Sequence, residues 1–198
     1  MERTLNFFSP PRGIKGREVV IGIDPGVTTG LSVMVLDNLK NGVDGVMAWG
    51  SDQISYGGSG NVQDLYEGDE TFPEQEIAEQ IGQAIVRWSR WNTVYIACED
   101  FIIRKHNSSR DFLAPVRITA GILQEIHKSA KGLRLTFQTP ADAKGTCKDE
   151  RMDAWGFPIK TQKDRHSRDA DRHVILFLRR CQANPAHPHK TLQVPEKK

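Results

Sequence analysis

Apolar residues from Val19 to Ile23 form one uninterrupted run, and the run ends on a charge, Asp24. A run without polar alternation predicts a strand buried on both faces. Gly26 and Gly30, with Thr28 and Thr29 between them, predict a turn into a second strand over Leu31–Leu36. The Asn41-Gly42 pair predicts another turn, before a third strand near Gly45–Trp49. Three strands joined by tight turns imply an antiparallel meander. The period then changes. Ile77, Ile81, Ile85 and Trp88 fall on one helical stripe, with Pro73 at the start and acids in the first turn. "TVYIACED" is a second fully apolar strand that stops at acids, Glu99 and Asp100. "APVRITAGILQEIHKSAKG" predicts a helix over 115–130 ended by Gly132, and "LRLTFQ" a fifth strand. A short polar helix is expected over 141–151 and a loop over 153–163. A last amphipathic helix is expected over 166–181, with Val174, Ile175, Phe177 and Leu178 facing inward.

This order, β-β-β-α-β-α-β-α-α, predicts an α/β fold: a mixed five-stranded sheet with its first three strands antiparallel, flanked by helices. Residues 18–182 form the expected domain. Residues 1–17, with Pro10, Pro11, Gly13 and Gly16, are expected to be a flexible arm. Residues 183–198, with three prolines, are expected to be a tail, and the glycine-rich stretch 55–71 a mobile loop. Trp88 continues the core stripe and is expected to be packed.

The chain has 198 residues, enough to bury a core without disulfides or structural metal. Hydrophobic residues make up 38% and the mean hydropathy is −0.49. No apolar run approaches the ~20 residues of a membrane helix, and the opening lacks a secretion signal, so no membrane partner and a cytoplasmic location are expected. Cys98, Cys147 and Cys181 are too far apart for a zinc knuckle and read as reduced thiols. A net charge of +2 says little about nucleic acid, but its distribution says more. Arg165, Arg168, Arg172, Arg179 and Arg180 crowd the last helix, and Arg104, Lys105 and Arg110 crowd one loop.

Ligands of such sheets sit off the strand ends, so two buried strands ending in Asp24 and Glu99 are informative. If those strands are neighbours, both carboxylates point into one crevice. In "RHSRDADRHVILFLRR", His166, Asp169 and His173 fall at i, i+3 and i+7 on one helix face, while Asp171 points elsewhere. Asp24, Glu99, Asp169 and His166 are thus candidates to meet. Gathering like charges costs several kcal/mol unless cations compensate. Hard divalent ions suit this ligand set, Mg²⁺ or Mn²⁺, with imidazole favouring Mn²⁺. Two such ions about 4 Å apart cleave phosphodiesters. Taken singly, each residue has a plainer reading: Asp24 before Pro-Gly as a turn residue, Glu99-Asp100 as a solvated strand end, Asp169 as a helix charge.

"IGIDPGVTTG", "IACEDF", "QTPADAK" and "HSRDADRH", in that order, resemble the RuvC-type Holliday junction resolvases of the ribonuclease H-like fold. The resemblance spans about residues 19–181. It makes Asp24 the first metal-binding Asp, Glu99 the strand-end Glu and Asp169 the last Asp of the helix motif. His166 takes the place where members carry Asp or His. Lys144 follows Pro140 at the spacing of a Lys near the scissile phosphate, and Lys148 and Arg151 extend that basic face, which also reads as a plain solvated helix surface. The loop residues Arg104, Lys105 and Arg110, with Arg172, complete the expected DNA-binding set, suited to backbone contact. Two departures stand out. Arg172 and His173 follow Asp169 where many members have small residues, a feature closer to phage-encoded relatives. The aromatic expected shortly after the Glu is matched only by Phe101, one residue off the usual spacing.

The resemblance implies a homodimeric endonuclease that cuts four-way DNA junctions with two Mg²⁺ or Mn²⁺ ions per site, leaving a 5′-phosphate and a 3′-hydroxyl. Its place would be the cytoplasm, that of the host if the gene is carried by a phage. Helix 115–130 is the expected dimer contact, since symmetric cutting needs two sites related by a two-fold axis. A flap or fork nuclease of broader taste and a non-catalytic junction-binding protein remain alternatives. "DPGVT" is shared with sugar kinases and actin-like ATPases, but those need two such domains and a second phosphate loop, so no nucleotide cofactor is expected.

Overall fold

The computed structural model describes residues 5–55, 73–102, 110–129, 133–158, 165–190 and 192–193. Its centre is β1 (Glu18–Asp24), flanked by β2 (Thr28–Leu36) and β4 (Thr93–Glu99). Outside them lie β3 (Val46–Ser55) and β5 (Arg134–Gln138), and a two-residue β6 (Leu192–Gln193) completes the order β3-β2-β1-β4-β5-β6. β1, β2 and β3 pair antiparallel, whereas β1–β4 and β4–β5 pair parallel. The five-stranded mixed sheet expected from the sequence is thus present, with β6 added at its edge by antiparallel pairing of Leu192 with Leu135.

Strand alternation sorts β1 onto two cores. Val19, Ile21 and Ile23 pack with α1 (Pro73–Ser89) and α2 (Ala114–Ser129) on one face. Val20, with Tyr95 and Ala97 of β4, packs beneath α5 (Arg165–Ala183) on the other. Two covered faces explain why β1 is apolar at every position. On the α5 face two glycines replace side chains. A Cβ on Gly22 would lie 2.3 Å from the Ala170 carbonyl oxygen, and one on Gly30 would lie 1.9 Å from that of His166. The helix backbone therefore rests directly on the strands beside Asp24, because Asp24 pairs with Gly30 across β1 and β2.

Several expectations are corrected. Before β3 the chain makes a 3-10 segment, Leu39–Gly45, turning at Gly42 with φ of +60°, instead of a two-residue turn. β3 runs well past Trp49, into a half that alternates between half-buried and exposed and carries no apolar run. The polar helix expected over 141–151 is two helices, α3 (Pro140–Thr146) and α4 (Asp149–Ala154), interrupted where the buried Cys147 turns inward. Thr139 caps α3 by accepting from the Asp142 N–H at 3.2 Å.

The segment expected as a flexible arm is packed from Leu5 onward. Phe7 is fully buried, its carbonyl accepts from the Trp88 indole N–H at 2.8 Å, and the Leu5 N–H donates to the Trp49 carbonyl at 3.1 Å. A lone aromatic pair just before two prolines carries no period, so the pattern held no sign of this. At the other end, His187 stacks at 5.5 Å on Phe177, and Arg134 donates to the Pro188 carbonyl at 3.2 Å. Trp88 is buried as expected. The expected mobile loop, apart from Ser55, and Gly132 lie outside the described residues. No described helix is long and apolar enough to cross a membrane.

Substituting Gly22→Ala would push α5 off the sheet and cost about 1–3 kcal/mol. Gly145→Ala, which meets nothing within 4 Å inside α3, should be neutral or gain about 0.5–1 kcal/mol. Urea unfolding midpoints of the two variants check the contrast.

Candidate active site

β1 and β4 run parallel with Ile23 opposite Cys98, so the next residues of each strand, Asp24 and Glu99, stand side by side at the carboxyl end of the sheet. Both continue the alternation of Val20, Gly22, Tyr95 and Ala97, and so face α5. The first turns of α5 bring His166, Asp169 and His173 over the same ends. Asp24 lies within range of the charges of both Glu99 and Asp169. Burial pushes the Asp24 carboxyl above its ordinary value, the His166 hydrogen bond opposes this, and the charges of Glu99 and Asp169 push it further up.

Each acid is met by a base from the protein itself. His166 Nδ1 lies 3.1 Å from Asp24 Oδ2, and that hydrogen bond raises the His166 pKa against the opposing effect of burial. His173 Nε2 lies 3.0 Å from Glu99 Oε2. Asp169 is held on one oxygen by Arg172 and on the other by Lys144, whose ammonium is 3.2 Å away. Arg172 is anchored in turn by Asp149 and donates from Nε to the Cys147 carbonyl at 3.1 Å. Arg168 spans Asp149 and Asp153 at 3.2 and 3.0 Å.

Five residues singled out in the sequence, Asp24, Glu99, His166, Asp169 and Lys144, therefore come together. Lys148 and Arg151 lie exposed on α4 and its cap, with Arg151 donating to the Thr146 carbonyl at 3.3 Å. Arg172, also expected in the DNA-facing set, has a side chain 13% exposed that serves as the counter-charge of Asp169 and Asp149. Arg104 and Lys105 lie outside the described residues, as does the side chain of Arg110, which opens a 3-10 turn ending at Leu113. His173, Gln138 and Asp149 were given no role by the sequence reading. The signal for His173 was its i+7 spacing from His166, whereas Gln138 and Asp149 carried none.

The donor set suits a hard divalent cation: three carboxylates and an imidazole at the mouth of a crevice. Among the described residues, no three His, Cys, Asp or Glu side chains close on a common point as a ready-made cage. The bases just named stand where cations would. A metal entering here would have to exchange with these partners for the carboxylate oxygens.

No protein-family model matches the sequence, and no curated protein matches it. Solved structures do match. The structure of Thermus thermophilus RuvC in complex with a Holliday junction substrate aligns with TM-score 0.58 at 12% identity, covering 89% of this chain and 99% of that one. A second T. thermophilus RuvC structure gives 0.55 at 15% identity over 88% and 99%. The yeast mitochondrial Holliday junction resolvase Ydc2 gives 0.51 at 13% identity over 93% and 85%. The chain has the RuvC fold. At such identities the likeness is one of fold, and in that RuvC-like, ribonuclease H-like frame the acids of β1, β4 and α5 share one end of the sheet.

Both Asp24 and His166 bind protons more tightly folded than unfolded, so acid favours the folded state. The contribution of His166 is complete below its ordinary value of 6.5 and is lost as pH rises through its higher folded value. That of Asp24 grows as pH falls through its raised value toward 3.8. Metal-free protein should therefore gain stability from pH 8 to pH 6, and His166→Ala should flatten this slope in urea unfolding across that range.

Proposed function

We propose that this protein is a metal-dependent endonuclease that resolves branched DNA, the four-way Holliday junction above all. One observation carries the reading: acids distant in the chain, Asp24, Glu99 and Asp169, meet at the end of the sheet of a RuvC fold. A solvated strand end or a turn residue would not be drawn into mutual repulsion beneath a helix. The likeness to a junction-bound RuvC and to a mitochondrial resolvase supports the branched substrate.

Asp24, Glu99 and Asp169 would hold Mg²⁺ or Mn²⁺, two ions per site, with His166 beside Asp24 as a fourth ligand or as the group that orients the attacking water. Bound divalent ions supply acidification of that water and neutralisation of charge on the phosphate. The protein's own residues do the rest. Lys144, about half exposed and already salt-bridged to Asp169, swings to a non-bridging phosphate oxygen and steadies the charge that develops there. Water adds to phosphorus, the bond to the 3′ oxygen breaks, and a 5′-phosphate and 3′-hydroxyl result. Lys148 and Arg151, exposed on α4 and its cap, hold the backbone of an arm, and Arg104, Lys105 and Arg110 hold another. A homodimer pairs two such sites. The exposed Leu113 just before α2 and Val116 in its first turn support that helix as the contact.

Cleavage of a synthetic four-way junction should need Mg²⁺ or Mn²⁺ and stop with chelator. Asp24→Asn and Asp169→Asn should abolish it while leaving junction binding intact, measured by gel shift beside the cutting assay. Equal cutting of linear duplex would overturn the resolvase reading. Lys144→Ala should slow cleavage by about 100-fold or more with binding little changed, as single-turnover rates would report.

A further inference from the structure

Glu99 is not held by a lone imidazole. β4 and β5 run parallel with Glu99 opposite Gln138, so the two strand ends present a carboxylate and an amide together beneath α5. His173 fits between them. Its Nε2 lies 3.0 Å from Glu99 Oε2 and its Nδ1 lies 3.1 Å from Gln138 Oε1. His173 is 1% exposed and Gln138 2%, so neither has water to fall back on.

Counting protons fixes the arrangement. An ionised Glu99 only accepts, so His173 Nε2 must carry a hydrogen. In a neutral ring Nδ1 is then an acceptor, yet with Oε1 toward it the amide offers another acceptor. In that orientation Gln138 Nε2 is buried with no hydrogen-bond partner among the described residues. Protonating both ring nitrogens would satisfy the two oxygens but leave the amide nitrogen stranded. Turning the Gln138 amide by half a revolution pairs donor with acceptor at both ring nitrogens: Gln138 Nε2 donates to Nδ1, the ring Nε2–H donates to Glu99, and the unpartnered amide position is then taken by Oε1 instead of Nε2.

We propose that His173, locked in its Nε2–H form by Gln138, is a positioning residue that fixes the rotation of the Glu99 carboxylate and keeps it ready for a divalent cation. The inference rests on the proposed metal-dependent function and adds the buried relay Gln138–His173–Glu99 to it. His173 touches neither substrate nor metal and acts only through Glu99. Outer partners of this kind typically govern metal affinity by about 10–100-fold.

Mn²⁺ binding to the DNA-free protein, followed by the paramagnetic resonance of unbound Mn²⁺, tests the relay without reference to activity. His173→Leu should raise the Mn²⁺ dissociation constant by about 10–100-fold. His173→Gln, which can still donate to Glu99, should restore most of the affinity. Histidine ¹⁵N–¹H correlation spectra of the unsubstituted, metal-free protein should show His173 protonated at Nε2 alone, a measurement that needs no variant to fold. Protonation at Nδ1, or at both nitrogens, would overturn the relay. So would unchanged Mn²⁺ affinity in His173→Leu when Glu99→Gln weakens it, and the metal site would then survive. Absence of Mn²⁺ binding in the unsubstituted protein, or binding indifferent to Glu99→Gln, would overturn the metal site itself and the relay with it.

Discussion

Everything at this site depends on how closely α5 lies on the sheet. Gly22 and Gly30 leave no side chain between the strands and the helix, so the carbonyls of Ala170 and His166 sit where Cβ atoms would be. A helix held off by even one methyl would carry His166 and Asp169 away from Asp24. The glycines belong to the site as much as the acids do, although neither has any chemistry of its own. They fix the distance across which charges interact, and that distance sets the repulsion the site must bear.

The response to this repulsion is local. Three carboxylates are each answered by a different base: His166 for Asp24, His173 for Glu99, and Arg172 with Lys144 for Asp169. Uncompensated, such a cluster would protonate or push α5 away. The partners differ in how freely they can leave. Lys144 and His166 are about half exposed, whereas His173 and Arg172 are enclosed and tied to further residues. The solvent-facing partners have room to move off their carboxylates, whereas the enclosed ones are fixed by the residues around them.

What the sequence revealed follows from what leaves a period in it. β1 and β4 were readable because burial on both faces makes every position apolar, and their terminal acids stood out against that background. Membership of the helix face was readable for His166, Asp169 and His173 from spacing alone. Phe7 was not, because an irregular segment that docks through one ring and one carbonyl has no repeat. The split between α3 and α4 turns on the single buried Cys147, too small a signal within a polar stretch. The pairing of Arg172 was not readable, because an arginine in a basic run looks solvated until Asp149, distant in the chain, is found beside it. Gln138 became visible only once β5 was seen to end level with β4.

The packing of the amino-terminal segment bears on how the molecule keeps its own company. β3 is a border strand, and Leu5 takes up one of its outward carbonyls while the Asp52 side chain accepts from the Phe7 N–H. At the opposite border the short β6 occupies β5. Both margins of the sheet are thereby partly sealed against foreign strands. Proteolytic trimming of the first ten residues would spare every acid of the crevice yet strip one seal and strand the Trp88 indole, so the damage would surface as self-association and poor yield before any chemical step suffered.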